Sequence, residues 1–500
     1  MPGPNPIRET FQSGRFSYIV ELVASQLTRE AKLLEVATGL AQVPGVIAAG
    51  ITSYAGGAMG HDPIRVGTAA KARGLTPNIH ITCVGKDRLT IRRELEDLYA
   101  LGIENVFAIT GDYPKGVDHH ANPVQYDLDS VQLVEFISEL RSAGMPFHIS
   151  VAVSPFKYQE PDCVYQYLKL EKKIAAGADW VITQLGYDAR KFRELKRYLD
   201  ERGLHTPVFG NVYVLAGKPA ERMSKGDPPG CWVAPELVER IQAETKQSTT
   251  KGVAERLERA AKMVAIVRGL GYAGAYIGGD HQAARVQWII KRSEEIAPRW
   301  EEFAEEISYS PKGAFYLYGD SPRVPKQRSF WVRVADLAEP ANWPAPMRAV
   351  LTVLARWADK RPAIAAAVEK AEFAFKEPVF GCHACGNCVL GLMEYVCPMT
   401  CPKNLRNGPC GGPFNGMCEV LPDQACIWVK VYERAAAANR LDELKTYIPP
   451  RNRALQGSSS YINYLLKKDS RPGNTEPLIQ IIPASLPPSG EAVHLTTKRA

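Results

Sequence analysis

The chain has 500 residues, of which 45% are hydrophobic and 23% are charged, and its formal net charge is +7. The composition is typical of a globular protein, and no apolar run is long enough to cross a bilayer. Acidic residues are interleaved with the basic ones, so the charge predicts a solvated surface and no nucleic-acid partner. The N-terminal sequence MPGPNPIRETFQSGRF lacks the apolar core of a secretory signal, which predicts a cytoplasmic, reducing location. The sequence leaves open whether the chain forms an oligomer.

Short β-rich runs alternate with helical patterns between Tyr18 and Gly279. The predicted strands are Tyr18–Val23, Val46–Thr52, Asn78–Val84, Asn105–Thr110, Phe147–Val153, Trp180–Leu185, Val208–Val214 and Gly274–Gly278. The predicted helices are Thr28–Ala41, Pro63–Arg73, Leu89–Leu101, Ser130–Ala143, Asp162–Ala176, Ala189–Glu201, Pro235–Lys246 and Gly252–Leu270. Eight such units predict an α/β fold, and they favour a (β/α)8 TIM barrel over an open doubly wound sheet.

Capping residues mark the starts of several of these helices. Thr28, Asp129 and Asp162 each precede a helical pattern, and their side-chain oxygens are predicted to cap it. Glycines such as Gly102 and Gly177 follow other helices, where a left-handed residue commonly ends the last turn. These signals support the alternation of strands and helices.

Polar side chains lie where the predicted strands end, which is where a TIM barrel places its chemistry. They are Glu21 on the first strand, Thr52 and Ser53 on the second, His80 and Thr82 on the third, Thr110, Gly111 and Asp112 on the fourth, Gln184 on the sixth and Asn211 on the seventh. A carboxylate in the apolar run YIVELVA is costly unless it is satisfied, so Glu21 is the most informative of them. It predicts either a functional acid or a structural salt bridge to a neighbouring strand.

The alternation stops after Gly279, and the chain divides into four predicted regions. These are a barrel over residues 1–305, a connector over 306–346, a helix followed by a small cysteine-rich metal-binding domain over 347–470, and a disordered tail over 471–500. Further helices are predicted at His281–Glu305, Met347–Lys376 and Ile427–Thr446. The connector contains two strand-like runs, FYLYGD and SFWVRV.

Eight of the eleven cysteines lie between Phe380 and Cys426. They are Cys382, Cys385, Cys388, Cys397, Cys401, Cys410, Cys418 and Cys426. The opening Cys-x2-Cys-x2-Cys spacing brings three sulfurs close together, as soft metals require, and eight thiolates would fill two four-cysteine sites. Glycines and prolines at 407–413 allow turns that bring N–H groups near sulfur. The sequence favours [4Fe–4S] clusters, with zinc as an alternative; disulfides or free thiols are the third reading, and a reducing location disfavours disulfides.

Several barrel motifs taken together resemble one enzyme family. The set comprises Glu21, HITC at 80–83, ITGDYP at 109–114 and KKIAAGADWVITQ at 172–184. With the eightfold alternation, these motifs resemble the methylenetetrahydrofolate reductase family over about residues 15–280. The string CHACGNC…CPMTCPK…NGPCGG is similar to the C-terminal module that accompanies some bacterial reductases of this family, over about residues 310–470. In acetogen-like relatives that module is associated with iron–sulfur clusters.

The resemblance implies a flavin, FAD in preference to FMN, and methylenetetrahydrofolate as the substrate, in one-carbon metabolism or methionine biosynthesis. Glu21 matches the glutamate that protonates N10 of the folate, and Asp112 matches the acid near the flavin and the pterin. His80, Thr82 and Lys173 match flavin contacts, with the lysine suited to a phosphate. Thr52 and Tyr126 align with further flavin contacts, and Gln184 matches the amide that binds substrate.

The chain departs from the family pattern after the seventh strand. The well-studied enzymes have a phenylalanine there that stacks on nicotinamide, and Gly217 aligns with it. The departure favours electron entry through the cysteine-rich segment or a ferredoxin-like donor over direct use of NAD(P)H. Two other readings remain open at this point: a folate- or flavin-binding scaffold with structural zinc, and a pterin-dependent methyltransferase barrel.

Overall fold

The computed structural model describes residues 5–25, 28–53, 55–58, 60–319, 335–337 and 339–471. Its centre is a closed barrel of eight parallel strands in sequential order, in which β8 pairs with β1. The strands are β1 Ser17–Leu22, β2 Val46–Ile51, β3 Pro77–Thr82, β4 Asn105–Ile109, β5 His148–Val153, β6 Trp180–Thr183, β7 Val208–Tyr213 and β8 Gly274–Gly278. The predicted TIM barrel is confirmed, and each strand end lies within two residues of its prediction.

Helices surround this barrel. They are α1 Pro6–Ser13, α2 Glu30–Ala41, α3 Pro63–Lys71, α4 Arg88–Ala100, α5 Ser130–Ser142, α6 Glu160–Ala175, α7 Ala189–Glu201, α8 Gly217–Met223, α9 Pro235–Gln247, α10 Val253–Gly269, α11 Ala283–Ile296 and α12 Trp300–Glu306. The sequence did not predict α1 or α8. The ring of Phe11 on α1 packs against Trp180 and Phe209 with centroid distances of 5.9 and 6.0 Å. Helix α1 therefore closes the amino-terminal end of the barrel, opposite the end where its chemistry is expected.

The helices of the C-terminal region include α13 Ala345–Asp359, α14 Pro362–Phe380, α15 Ile427–Ala438 and α16 Ser460–Leu465. The single helix predicted over 347–376 is wrong, because Pro362 holds Arg361 in an extended conformation and starts a new helix. The predicted helix over 281–305 is likewise divided by a short turn at Ala297–Arg299. The predicted helix over 427–446 ends early, where Asn439 adopts a left-handed conformation.

The predicted caps have mixed outcomes. Asp129 caps α5 and forms a capping box with Gln132, as expected. Thr28 does not cap α2, which begins at Glu30 with no side-chain capping bond. Asp162 is not a cap either, because α6 begins two residues earlier. Its carboxylate instead accepts a hydrogen bond of 2.8 Å from the N–H of Gly416.

Two runs of the connector were predicted to be strands, and residues 471–500 were predicted to be a disordered tail. In the run FYLYGD, residues 317–319 form a turn and residues 315–316 have no regular structure, so the expected strand is absent from 315–319. The run SFWVRV and residues 472–500 of the expected tail lie outside the described residues. Among the helices of the described ranges, none combines the length and the apolar character needed to span a membrane.

Candidate functional site

A cavity of about 250 Å³ opens at the carboxyl ends of the barrel strands. The family resemblance assigned roles to eight barrel residues. Six of them line the cavity: Glu21, Thr52, His80, Asp112, Lys173 and Gln184. Thr82 and Tyr126 are buried but do not line it. The structure thus brings together side chains from strands that are far apart in the sequence, at the end of the barrel where TIM-barrel enzymes place their active sites.

Glu21 lies on β1 with its carboxyl group beside Gly278. A Cβ atom at Gly278 would stand 2.8 Å from Glu21 Oε2, so the absence of a side chain there gives the carboxyl its space. Burial raises the pKa of Glu21 to about 7. Within the described residues Glu21 forms no ion pair, so the alternative of a structural salt bridge is not observed. Its environment is that of an acid that holds its proton near neutral pH.

Asp112 belongs to the turn that follows β4. The preceding Gly111 has φ 87°, a left-handed conformation that glycine adopts without strain. The Asp112 carboxylate accepts a hydrogen bond of 2.9 Å from the N–H of Gly56. Burial and then the carboxylate of Glu419 raise the pKa of Asp112 to about 6, while Lys403 opposes the rise. Asp112 is therefore held in place by main-chain contacts, and its charge state depends on residues more than 290 positions away in the sequence.

Three of the residues predicted to contact the flavin have a buried polar atom without a hydrogen-bond partner within the described residues: His80 Nε2, Thr82 Oγ1 and the Tyr126 hydroxyl. Ser154, Asn211 and Tyr276 line the cavity and have such an atom too. Burial lowers the pKa of His80 to about 3, so its imidazole is neutral. Buried polar groups are normally paired, and unpaired ones around a cavity are the pattern expected where a polar ligand binds. The residues present therefore fit a bound flavin.

Lys173, Gln184 and Thr52 are held by local hydrogen bonds. Lys173 Nζ donates to the carbonyl of Ala152 at 2.7 Å, and burial lowers the pKa of this lysine to about 7. Gln184 Oε1 accepts from the N–H of Leu185 at 2.8 Å. Thr52 Oγ1 accepts from the N–H of Ala24 at 3.1 Å. These contacts fix three predicted contact residues at the wall of the cavity.

The segment Cys382–Cys426, here called the cysteine module, closes one side of the cavity. Its residues Lys403, Pro409, Cys410, Gly411, Gly412 and Glu419 line the cavity together with the barrel residues. The sequence did not predict a role for Lys403 or Glu419, and their only signal was a charged residue close to cysteines that were predicted to bind metal. Their position depends on how the module packs against the barrel.

Barrel side chains bind the main chain of the cysteine module. Lys169 Nζ donates to the carbonyls of Gly408 and Pro409 at 3.2 and 2.9 Å. Lys157 Nζ donates to the carbonyl of Gly411 at 2.7 Å, and Gln166 Nε2 donates to that of Cys410 at 2.8 Å. Further contacts join Asp129 to the N–H groups of Arg406 and Asn407, and Asp162 to that of Gly416. The module is thus attached to the start of α5, to α6 and to the loop before α6.

The eight cysteines of the module form two neighbourhoods of four. Cys382, Cys385, Cys388 and Cys397 line one pocket, and their thiols interact electrostatically. Cys426 interacts in the same way with Cys410, Cys401 and Cys418. All eleven cysteines are free, so the disulfide alternative is not observed. Within the described residues no three His, Cys, Asp or Glu side chains are grouped closely enough to hold a metal ion.

Main-chain N–H groups point at several of these sulfurs. The N–H of Ala384 donates to Cys382 Sγ at 3.4 Å. In four more cases the main-chain N–H of the residue two positions after a cysteine bonds to its sulfur. These pairs are Met399 with Cys397, Lys403 with Cys401, Gly412 with Cys410 and Trp428 with Cys426. Such bonds stabilise negative charge on sulfur, as metal–thiolate sites need. The number and type of these residues and their N–H donors favour metal binding, whereas within the described residues no three of the side chains are close enough together to hold an ion.

Comparison with known proteins identifies the family. A family model described as methylenetetrahydrofolate reductase matches residues 7–270, more than half of the 500-residue chain. The chain belongs to the methylenetetrahydrofolate reductase family. A second model, described as methylene-tetrahydrofolate reductase C terminal, matches residues 362–454 and includes the whole cysteine module. The resemblance found in the sequence motifs is confirmed for both parts of the chain.

Similar proteins match parts of this chain. Methylenetetrahydrofolate reductase 2 of Schizosaccharomyces pombe is 26% identical over 244 residues, 46% of this chain and 37% of that protein. Methylenetetrahydrofolate reductase (NADH) 1 of Arabidopsis thaliana is 32% identical over 153 residues, 28% of this chain and 25% of that protein. The 5,10-methylenetetrahydrofolate reductase of Salmonella typhimurium is 27% identical over 140 residues, 28% of this chain and 44% of that protein. The chain spans less than half the length of each of these relatives.

Proposed function

We propose that the protein is a flavin-dependent methylenetetrahydrofolate reductase that acts in the cytoplasm and receives electrons through its cysteine module. The observation that carries the proposal is the shared cavity, in which Cys410 of the module stands together with Glu21 and Asp112 of the barrel. Membership of the family supports the reaction, and the position of Cys410 supports the route of the electrons. We further propose that the chain divides into a barrel over residues 1–305, a connector over 306–346, a cysteine-rich region over 347–470 and a tail over 471–500.

The residues of the cavity have separate tasks in this proposal. A bound flavin, FAD in preference to FMN, supplies the hydride. Glu21, protonated near neutral pH, donates its proton to N10 of 5,10-methylenetetrahydrofolate as the five-membered ring opens. Asp112 and Gln184 hold the pterin. The product is 5-methyltetrahydrofolate.

The remaining predicted residues hold the flavin. Lys173 is placed to bind an anionic group, since a phosphate would offset the burial that lowers the pKa of this lysine. His80, Thr82 and Tyr126 each offer a buried polar atom that has no partner within the described residues. Thr52 lies at the end of β2 on the same cavity wall. These tasks follow the family roles assigned residue by residue.

The route of the electrons is supported by two features of the chain. Gly217 begins α8 and does not line the cavity, so it offers no ring on which a nicotinamide could stack. The cysteine neighbourhood of Cys401, Cys410, Cys418 and Cys426 reaches the cavity through Cys410, and the other neighbourhood lines a separate pocket. In this proposal the two neighbourhoods would hold [4Fe–4S] clusters, which would supply electron transfer from an external donor.

The test is anaerobic purification followed by flavin and metal analysis. The proposal predicts bound flavin, iron in excess of zinc, and reoxidation of the reduced flavin by methylenetetrahydrofolate. Reduced ferredoxin is expected to reduce the flavin faster than NADH or NADPH. Colourless protein containing zinc would instead identify a scaffold. Methyl transfer without any electron donor would identify a methyltransferase.

A further inference from the structure

Two oppositely charged side chains of the cysteine module are buried at the barrel cavity. Lys403 and Glu419 form an ion pair, and each side chain is only 2% exposed. Both line the cavity that contains Glu21, Asp112 and Gln184. Because a buried ion pair loses its hydration and is often no more stable than apolar residues of the same size, stability alone is a weak reason for one at this place.

Lys403 contacts the barrel at the turn that carries Asp112. Its Nζ donates to the carbonyl of Gly111 at 2.9 Å and lies 5.8 Å from the centroid of the Tyr126 ring. The other side of the turn is held by the bond from the N–H of Gly56 to Asp112. The turn is thus held between the barrel on one side and the cysteine module on the other.

Glu419 is in turn held by the shape of the module. A Cβ atom at Gly412 would lie 1.1 Å from Glu419 Oε2, so the carboxylate occupies space that only a glycine leaves open. Both carboxylate oxygens are buried and have no hydrogen-bond partner within the described residues, which leaves Lys403 as the partner of this charge. The position of Lys403 therefore depends on Glu419, and that of Glu419 on the loop at Gly412.

We propose that Lys403 is a positioning residue of the barrel site, supplied by the cysteine module, which holds the Gly111–Asp112 turn in its ligand-binding position, and that Glu419 orients Lys403. The inference rests on the proposed function, because it assigns Asp112 to the binding of flavin and pterin. It gives the module a second task besides electron transfer, since the barrel site is complete only when the module is docked.

Attachment of the module to the barrel does not account for this pair. The carbonyls of 408–411 are already bound by Lys157, Lys169 and Gln166. A second buried lysine–glutamate pair, Lys191 with Glu194 on α7, has side chains that are 0% and 3% exposed and does not line the cavity. This pair provides the matched control, because within the described residues no hydrogen bond or ion pair joins it to the Asp112 turn or to the loop at Gly412.

The test compares the full-length wild type with Lys403→Met/Glu419→Gln, which removes both charges and leaves neither one buried alone. The readouts are the visible spectrum of the bound flavin, the iron and zinc content, and the KM and kcat for reoxidation of the reduced flavin by methylenetetrahydrofolate. We expect a shifted flavin spectrum and a loss of about tenfold to a hundredfold in kcat/KM, because small misplacements of a binding group have effects of this size. Metal content should match that of the wild type.

The control Lys191→Met/Glu194→Gln, which removes a buried ion pair away from the cavity, should lower the midpoint of urea unfolding but keep the flavin spectrum and KM. A wild-type flavin that methylenetetrahydrofolate does not reoxidise would refute the proposed function and this inference with it. An active wild type together with a double variant of unchanged spectrum, KM and kcat would overturn the inference alone. Should the double variant not fold, Glu419→Gln by itself is judged by the same criteria.

Discussion

Gln166 on α6 and Cys410 in the cysteine module are joined by a hydrogen bond of 2.8 Å from the Gln166 amide to the Cys410 carbonyl, and both residues line the barrel cavity. Cys410, a candidate metal ligand that lines the cavity, is thus held by a barrel side chain. This contact connects the two parts of the chain at the place where electrons would pass between them.

Asp162→Ala should weaken this connection. The substitution leaves the buried N–H of Gly416 without its acceptor, which costs about 1–3 kcal/mol of unfolding free energy. Urea unfolding measures the loss, and proteolysis within the loop 403–416 should become faster. Asp87→Ala is the control, because it removes the cap of α4 and leaves that loop intact. Equal proteolysis of both variants would show that Asp162 does not hold the module.

Glu21→Gln should retain the flavin and lose folate reduction. The amide has nearly the same shape but cannot donate a proton as a carboxylic acid does, so the reoxidation rate should fall by about 10²–10⁴-fold. Stopped-flow absorbance of the reduced flavin, mixed with methylenetetrahydrofolate, measures the rate. Reoxidation by a quinone serves as the control and should not change. Near-normal turnover with folate would remove Glu21 from its assigned role.

The raised pKa of Glu21 predicts how the free energy of unfolding depends on pH. The pKa of Glu21 is raised from 4.5 to about 7 on folding, so the folded chain holds this proton more tightly. The stabilising contribution of protonated Glu21 is complete below pH 4.5 and is lost as the pH rises through about 7. Between pH 5 and pH 8 Glu21→Gln should therefore gain about 1–3 kcal/mol of unfolding free energy relative to the wild type. A difference that stays constant across urea titrations at these pH values would contradict the raised pKa.

Lys173 and Lys172 offer a paired test of flavin binding. Both are buried, and burial lowers the pKa of each to about 7, but only Lys173 lines the cavity. Lys173→Met should weaken flavin binding by about tenfold or more, since it removes a cation from the proposed phosphate contact. Lys172→Met should leave the dissociation constant unchanged. Fluorescence titration of flavin into deflavinated protein measures both, and equal effects would place the phosphate elsewhere.

Serine substitutions test the division of the eight cysteines. Cys382→Ser and Cys397→Ser come from one neighbourhood, so each variant and their combination should lose about half of the bound metal. Cys382→Ser combined with Cys410→Ser should lose nearly all of it. Metal analysis of anaerobically purified protein gives the content, and circular dichroism confirms that the barrel is folded. Loss of all metal from either single variant would show one shared site.

The cysteine sequence predicted metal chemistry but not the geometry of the sites. Sulfur type, Cys-x2-Cys spacing and glycine-rich turns are local properties, and the N–H donors to sulfur follow from them. The division into two groups of four is different, because it depends on where the chain between Cys401 and Cys426 turns. The capping error at Asp162 has the same cause: its carboxylate is used by a loop more than 250 residues away.

The sequence by itself determined the barrel, because the alternation of β-rich runs and helical patterns is encoded locally in every strand–helix unit. It also predicted that Glu21 and Asp112 lie at the same end of the barrel, since strand ends must meet at one face of a closed barrel, and both line the cavity there. Only the tertiary structure decided that Lys403, Glu419 and Cys410 join them. Docking of the module is set by buried contacts between distant segments, such as Lys169 with Gly408, for which no local pattern exists.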